Sequence, residues 1–419
     1  MVATLDYARK RVAAIIEEID DLKGSEFPYR QSFDALDILE SIFKDQQGVL
    51  NKISPTASTS VTQNACSISL YQLQLYLPIL GFILRSTDVR NAFEAYGPLL
   101  RLVQNILEID TKLIVSSEWE FSPFVYRSME DLPGFVLIGL PAPESSNPLL
   151  LPLAGHELGH AVWESERLSG NIRDLSGKIE TGVLDVLTDK LWEDYHKINP
   201  QFKKEQLRNG DLFAARTWMP AFTWALLQVE EIFCDFIGLR LFAESFLHAF
   251  EYLISPGIAD EPRSGGYPNL QRRVSHLVKA ANSKGVLVPI DFESGFIAQK
   301  EPSDPGTKLL VSAADFVSDS LIPSLIDKAW EFVDSKSVPM RNVDKVSHIS
   351  EEFRKKIVPT TISQSFTDLL NAGWACYMDR KLWDNFPQIM QKDRDRILGD
   401  LILKSMEVSE IHKRLGNPS

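Results

Sequence analysis

Residues 149–163 read Leu-Leu-Leu-Pro-Leu-Ala-Gly-His-Glu-Leu-Gly-His-Ala-Val-Trp, and this stretch decides how the rest of the chain is interpreted. It contains His156, Glu157 and His160 in the pattern His-Glu-x-x-His. On an α-helix, residues four apart share one face, so the two imidazoles can hold one zinc ion while Glu157 reaches a water on it. The stretch therefore predicts a buried helix with a catalytic zinc site; two hydrogen-bonded core histidines are the plainer alternative.

The composition is that of a globular protein that is acidic overall. The chain has 419 residues, 44% of them hydrophobic and 24% charged, with a formal net charge of -13. Such a charge disfavours binding to nucleic acid, which needs a basic surface. Three cysteines, an odd and sparse set, do not form a disulfide framework and indicate a reducing compartment.

The first residues contain neither a basic segment nor an apolar one, so no signal peptide is expected. The most apolar long run, residues 70–84, is too short to span a bilayer and contains two glutamines. We therefore expect a soluble, cytoplasmic protein without integral membrane association.

Apolar periodicity predicts a mainly α-helical fold with a small β-sheet, of the α+β class. Residues 1–110 are expected to form a helical region, with helices near residues 5–22, 31–52, 67–86 and 88–109. Three short β-branched or aromatic runs then predict a small sheet: Leu113 to Val115, Trp119 to Tyr126 and Phe135 to Leu140. The last of these strands either presents its edge to an extended peptide or only covers the predicted helix that carries His156 and His160.

The remaining chain is expected to be helical as well. Helices are predicted near residues 172–195, in one or two segments within 213–254, near 270–281, and in about four segments within 308–414. The irregular, proline-containing residues 286–306 are the best candidate for a boundary. The predicted domains are thus 1–110, a catalytic core at 111–285, and a C-terminal helical region at 286–419.

A catalytic zinc usually has three protein ligands, and the strongest third candidate is Glu231. Glu231 and Asp235 lie four residues apart on a strongly apolar helix, where two carboxylates are costly to bury unless a cation compensates them. We expect Glu231 to ligate the metal and Asp235 to accept a hydrogen bond from a ligand histidine. Glu230 should point about 100° away. Glu166 would need a sharp turn at Trp163, which that large side chain disfavours.

Together the two motifs resemble those of the gluzincin metallopeptidases, in which His-Glu-x-x-His is followed at a distance by Glu-x-x-x-Asp. His156, Glu157, His160, Glu231 and Asp235 match this pattern position by position. The resemblance covers roughly residues 135–280. It implies a zincin-like core flanked by helical regions, with Zn²⁺ as cofactor.

A weaker similarity points to the gluzincin branch that contains the CAAX prenyl protease and the heat-shock membrane protease. That branch often has His-Pro followed, five residues after Pro, by Arg and an aliphatic residue. This chain keeps Pro268, Arg273 and Val274 but has Tyr267 in place of the His, and it lacks the membrane helices of that branch.

The resemblance implies hydrolysis of a peptide or protein substrate, with Glu157 taking the proton of the attacking water and passing it to the leaving amine. Tyr267, Arg273 and His276 are candidates for oxyanion or substrate contacts. Two other functions stay open: a catalytically silent zinc-containing scaffold or binding protein, and a zinc hydrolase of non-peptide amides. The retained Glu157 favours an enzyme, since structural zinc needs no general base.

Overall fold

The computed structural model describes residues 2–54, 56–88, 92–118, 124–126, 132–144, 147–169, 173–255, 257, 263–359 and 364–416. Over these residues the protein is mainly helical, with one small sheet, as the sequence predicts. The α-helices are α1 (Val2–Lys23), α2 (Arg30–Lys52), α3 (Thr59–Arg85), α4 (Ala92–Ile106), α5 (Ala154–Ser169), α6 (Arg173–Asp185), α7 (Trp192–Ile198), α8 (Lys204–Arg208), α9 (Leu212–Phe242), α10 (Glu244–Ile254), α11 (Leu270–Lys284), α12 (Pro305–Ser335), α13 (Val343–Arg354), α14 (Phe366–Tyr377) and α15 (Gln391–Gly416). The strands are β1 (Lys112–Glu118), β2 (Phe124–Tyr126) and β3 (Phe135–Pro141).

Several shorter helical segments connect these elements. Four are 3₁₀-helices and one is a π-helix: Ser86–Asp88, Ala142–Glu144, Pro148–Leu153, Glu293–Gly295 and the π-helical Val186–Lys190. The segment Pro148–Leu153 leads directly into α5, and the Asn147 side chain caps it by accepting a hydrogen bond from the Leu149 amide at 3.1 Å.

The chain divides into two compact units, of which the first comprises Met1–Leu100 and Asp110–Ser146. Helices α1, α2 and α3 pack on one another in this unit, because each presents an apolar stripe to the others. The predicted stripe of α1 includes Val12 and Ile19, which are fully buried. Strand β1 packs against α2 and α3 and so joins the sheet to the helices.

The sheet has the order β1-β3-β2, with β1 parallel and β2 antiparallel to β3. Residues 137–139 of β3 are therefore paired on both sides. The expectation that this strand presents its edge to a peptide is not met there, because a paired strand has no free backbone groups to offer. The predicted strand from Trp119 lies partly outside the described residues, which include its end as β2.

The second unit comprises Arg101–Ile109 and Asn147–Ser419, and its central feature is the close antiparallel packing of α5 on α9. Two glycines of α5 allow this approach. A Cβ built on Gly155 would lie 3.0 Å from the Gly238 Cα, and one built on Gly159 would lie 2.6 Å from the Cys234 Cα. Since these glycines each precede a histidine of the motif, the two helices are closest where the motif residues lie.

The C-terminal helices belong to this same unit. On α14, Asn371 donates to the Phe242 carbonyl at 2.9 Å and accepts from the Ser245 amide at 3.0 Å. It thereby holds the break between α9 and α10, where Ala243 has a φ of 52°. The Trp374 indole donates to the Leu149 carbonyl at 2.9 Å, in the segment that leads into α5.

The division into two units differs from the predicted domains, which are 1–110, 111–285 and 286–419. The small sheet groups with the N-terminal helices, and residues 286–419 group with the unit that contains α5. The physical reason is that α12 packs along α9 over much of its length and α14 holds the end of α9. The irregular residues 286–306 connect α11 to α12 within one unit, and Phe292 and Phe296 of this segment are buried.

Two of the described helices, α3 and α12, are long and apolar enough to cross a membrane by length and composition alone. This is weak evidence, since core helices of soluble proteins pass the same test. In α12, 56% of the most apolar window is buried inside the protein, against 39% in α3.

We predict that Gly159→Ala destabilises the protein, because the added methyl group would overlap the backbone of α9 and force the helices apart. Overpacking of this kind typically lowers the free energy of unfolding by about 1–3 kcal/mol. Chemical denaturation measures it. Gly177→Ala on α6 is the matched control, since nothing lies within 4 Å of its added Cβ. Equal stability of the two variants would show that the close packing at Gly159 is dispensable.

Candidate metal centre

His156 and His160 lie one turn apart on α5, with ring centroids 5.0 Å apart and planes at 87°. Their side chains are only 12% and 10% exposed. Such burial is costly for a polar ring unless both of its nitrogens find partners. The environment of each nitrogen therefore decides what the pair can do.

The Nδ1 atom of each ring faces a carboxylate of α9. His156 Nδ1 lies 2.8 Å from Asp235 Oδ1, and His160 Nδ1 lies 3.0 Å from Glu230 Oε1. Because an ionised carboxylate only accepts, Nδ1 carries the proton in each pair. In its neutral form, each ring thus has an Nε2 lone pair that can bind a metal ion, which is the usual arrangement of ligand histidines.

Glu231 reaches both Nε2 atoms. Its Oε2 lies 3.5 Å from Nε2 of His156, and its Oε1 lies 3.7 Å from Nε2 of His160. Ligands on one tetrahedral zinc ion, each at about 2.1 Å from the metal, are about 3.4 Å from one another. The observed separations are close to that value, and these three residues form a group that could hold a metal ion.

The electrostatics of the site also favour a cation. Burial and the charge of Arg273 act to lower the pKa of His156, but hydrogen bonds to Asp235 and Glu231 and the charge of Asp235 outweigh them and raise that pKa to about 10. A positive charge between the two helices is therefore stabilised. A metal ion would provide it with more charge than a proton.

Glu157 is buried next to this group, with 6% of its surface exposed. Burial raises the pKa of its carboxyl group, and the charge of Glu231 acts in the same direction, while His156, His160 and Arg273 oppose the shift. A raised pKa suits a carboxylate that must take up and release a proton near neutral pH.

Sequence reasoning missed the role of Glu230. It was expected to point away from the site, but it is 6% exposed and holds His160. The reason is the short distance between α5 and α9, which lets residues on a wide arc of α9 reach the facing helix. A usable signal was present: each ligand histidine needs an acceptor for Nδ1, and Asp235 supplies only one.

The three candidates for oxyanion or substrate contacts take separate places. Arg273 binds both oxygens of Asp235, with Nε to Oδ2 at 2.5 Å and Nη2 to Oδ1 at 2.7 Å. It therefore lies on the Nδ1 side of His156, away from the ring nitrogen available to a metal, and this differs from the expected oxyanion contact. The His276 Nε2 atom faces Asp319 at 3.1 Å. The Tyr267 side chain is 56% exposed, and its role stays a prediction.

Glu166 does not join the group of possible ligands. Helix α5 continues without a turn from Ala154 to Ser169, so the bend at Trp163 that Glu166 would need is not formed. Instead, Glu166 lines a cavity of about 460 Å³ together with Trp163 and Phe233.

Comparison of the chain with protein-family models, with curated proteins and with solved structures finds no match.

We predict that Glu230→Ala weakens zinc binding, because His160 loses the acceptor that fixes its ring. Partners of this kind typically contribute about ten- to a hundredfold in metal affinity. Competition with a chelator measures the change. Glu230→Gln, whose amide oxygen can still accept from Nδ1, should keep most of the affinity. Wild-type affinity in the alanine variant would remove Glu230 from the site.

Two further variants test whether Glu231 or Glu166 is the third zinc ligand. Glu231→Ala should lower zinc affinity by more than the ten- to hundredfold expected for an outer partner, because a ligand itself is removed. Glu166→Ala, the same substitution at a glutamate of α5, should leave the zinc affinity near wild type. A chelator titration of both variants decides the matter, and the reverse result would exclude Glu231 as the ligand.

Proposed function

We propose that this protein is a zinc-dependent metallopeptidase with a zincin-like core built on α5 and α9. The observation that carries the proposal is the convergence of Glu231 on the Nε2 atoms of His156 and His160, at 3.5 and 3.7 Å, with Glu157 buried beside them. This supports the gluzincin interpretation of the sequence. His156, His160 and Glu231 would be the ligands, and zinc fits their two imidazoles and one carboxylate.

The number of ligands favours catalysis over a purely structural site. The group that the described residues form has three members, as in catalytic zinc sites that keep one position open. A structural zinc is usually closed by four protein ligands, commonly cysteine and histidine. The buried Cys234 neighbours the group in sequence but does not belong to it.

The residues of the site have defined tasks in the proposed reaction. Zinc, when bound, supplies a Lewis acid that polarises a substrate carbonyl and makes an attacking water more acidic. Glu157 accepts the proton of that water on its carboxylate and then delivers it to the leaving amine. Asp235 and Glu230 hold the two imidazoles in fixed orientations, so little reorganisation is needed during the reaction.

The substrate class follows from the resemblance to the gluzincins, so a peptide or protein is proposed. The competing hydrolysis of a non-peptide amide would use the same residues in the same roles. A screen of peptide libraries with the zinc-loaded protein distinguishes the two, since the metallopeptidase must cleave a peptide bond.

We predict that Glu157→Gln retains zinc and the fold but loses hydrolysis. Glutamine has nearly the same shape and cannot accept the proton, and acid–base help is typically worth at least a hundredfold in rate. The rate of peptide cleavage, together with the zinc content of the purified variant, tests this. Glu164→Gln, one turn further from the ligands, is the control. Cleavage at the wild-type rate by Glu157→Gln would refute the mechanism.

A further inference from the structure

Asp235, the partner of His156, is a buried carboxylate with three hydrogen-bond donors. It is 1% exposed and accepts from His156 Nδ1 at 2.8 Å, from Arg273 Nη2 at 2.7 Å and from Arg273 Nε at 2.5 Å. Two of the three donors belong to one guanidinium group. A buried carboxylate needs both a countercharge and hydrogen bonds, and Arg273 supplies both.

Arg273 is itself fixed in place by its surroundings. Its guanidinium lies over the Phe250 ring of α10, 5.0 Å from the ring centroid, and Phe250 is 1% exposed. The planar fork of an arginine binds the two oxygens of a carboxylate in one orientation only, which a lysine cannot do. Asp235 is therefore held by both oxygens, and its Oδ1 stays on the His156 ring.

Helix α11 brings Arg273 to this position from a distant part of the sequence. The Asn269 side chain caps the helix by accepting from the Gln271 amide at 3.1 Å, and the Leu270 amide donates to Gln299 Oε1 at 3.1 Å. The neighbouring residue, Arg272, points the other way and pairs with Asp319 on α12. Arg273 thus contacts the site, whereas Arg272 contacts α12.

We infer that Arg273 is a positioning residue of the metal centre, acting through Asp235 to hold the His156 Nε2 atom towards Glu231. This inference rests on the proposed zinc site and adds to it a third segment, α11, on which metal affinity depends. The metal centre is then assembled from α5, α9 and α11. Loss of the contact between Arg273 and Asp235 would lower metal affinity even with all three ligands in place.

The test compares Arg273→Ala and Arg273→Lys with the matched control Arg272→Ala in the full chain. Zinc affinity is measured by chelator competition, and folding by circular dichroism. We expect Arg273→Ala to bind zinc about ten- to a hundredfold more weakly. Arg273→Lys keeps the charge without the fork and should bind with intermediate affinity, while Arg272→Ala should bind like wild type.

A measurement on the His156 ring distinguishes a positioning role of Arg273 from a general effect on protein stability. With ¹⁵N-labelled histidine, the Nδ1–H of His156 should give a hydrogen-bonded, slowly exchanging proton resonance in wild type and in Arg272→Ala. It should exchange rapidly in Arg273→Ala. Guanidinium ions, at concentrations far below those that denature, should restore zinc affinity in Arg273→Ala, whereas sodium chloride at equal ionic strength should not.

The possible results decide between the two proposals. If Arg273→Ala and Arg273→Lys both bind zinc like wild type and keep the His156 resonance, the positioning role is refuted and the proposed function stands. If Arg273→Ala does not fold, Arg273→Lys decides alone. If the wild type binds no zinc, the proposed function fails, and the His156 resonance in the variants still confirms or refutes the positioning role.

Discussion

The close packing of α5 on α9 is the constraint on which the candidate site depends. At Gly159 the two backbones are so near that even a Cβ would lie 2.6 Å from the Cys234 Cα. Because of this distance, short acidic side chains of α9 reach the rings of His156 and His160 without extended linkers or water bridges. A wider separation would leave the carboxylates buried but without their partners, which is costly.

The buried carboxylates of the site are compensated by the groups that surround them. Glu230, Glu231 and Asp235 are each at most 6% exposed on a helix whose neighbouring side chains are apolar. Such a group of carboxylates persists only where cations compensate it. Arg273 compensates Asp235 directly, and the two imidazoles engage the others. A divalent cation at the Nε2 atoms would complete this balance, so the charges and the ligand geometry point to the same occupant.

Much of the fold could be predicted from the sequence, because apolar periodicity defines which side of a helix is buried. Most helices lie close to the predicted positions, although α3 begins at Thr59 and not near residue 67, and α8 has no predicted counterpart. The four-residue spacings predicted that His156 and His160 would face Asp235 and Glu231. Periodicity gives directions around one helix axis and does not give the distance to the next helix. That is why Glu230 was missed, and why the sheet was assigned to the wrong neighbours. The place of Arg273 depends on how α11 docks, which no local pattern encodes.

The size of the second unit bears on what a metal would do there. Structural zinc is most useful in small domains, where metal binding supplies folding energy that a small core lacks. Here α5 and α9 are embedded in a large apolar core that also contains α10, α12 and α14. The Nδ1 atoms of both histidines and the oxygens of Asp235 are already satisfied by the protein. Since the protein itself already orients these groups, the proposed catalytic role accounts for three candidate ligands beside a buried glutamate better than a purely structural role does.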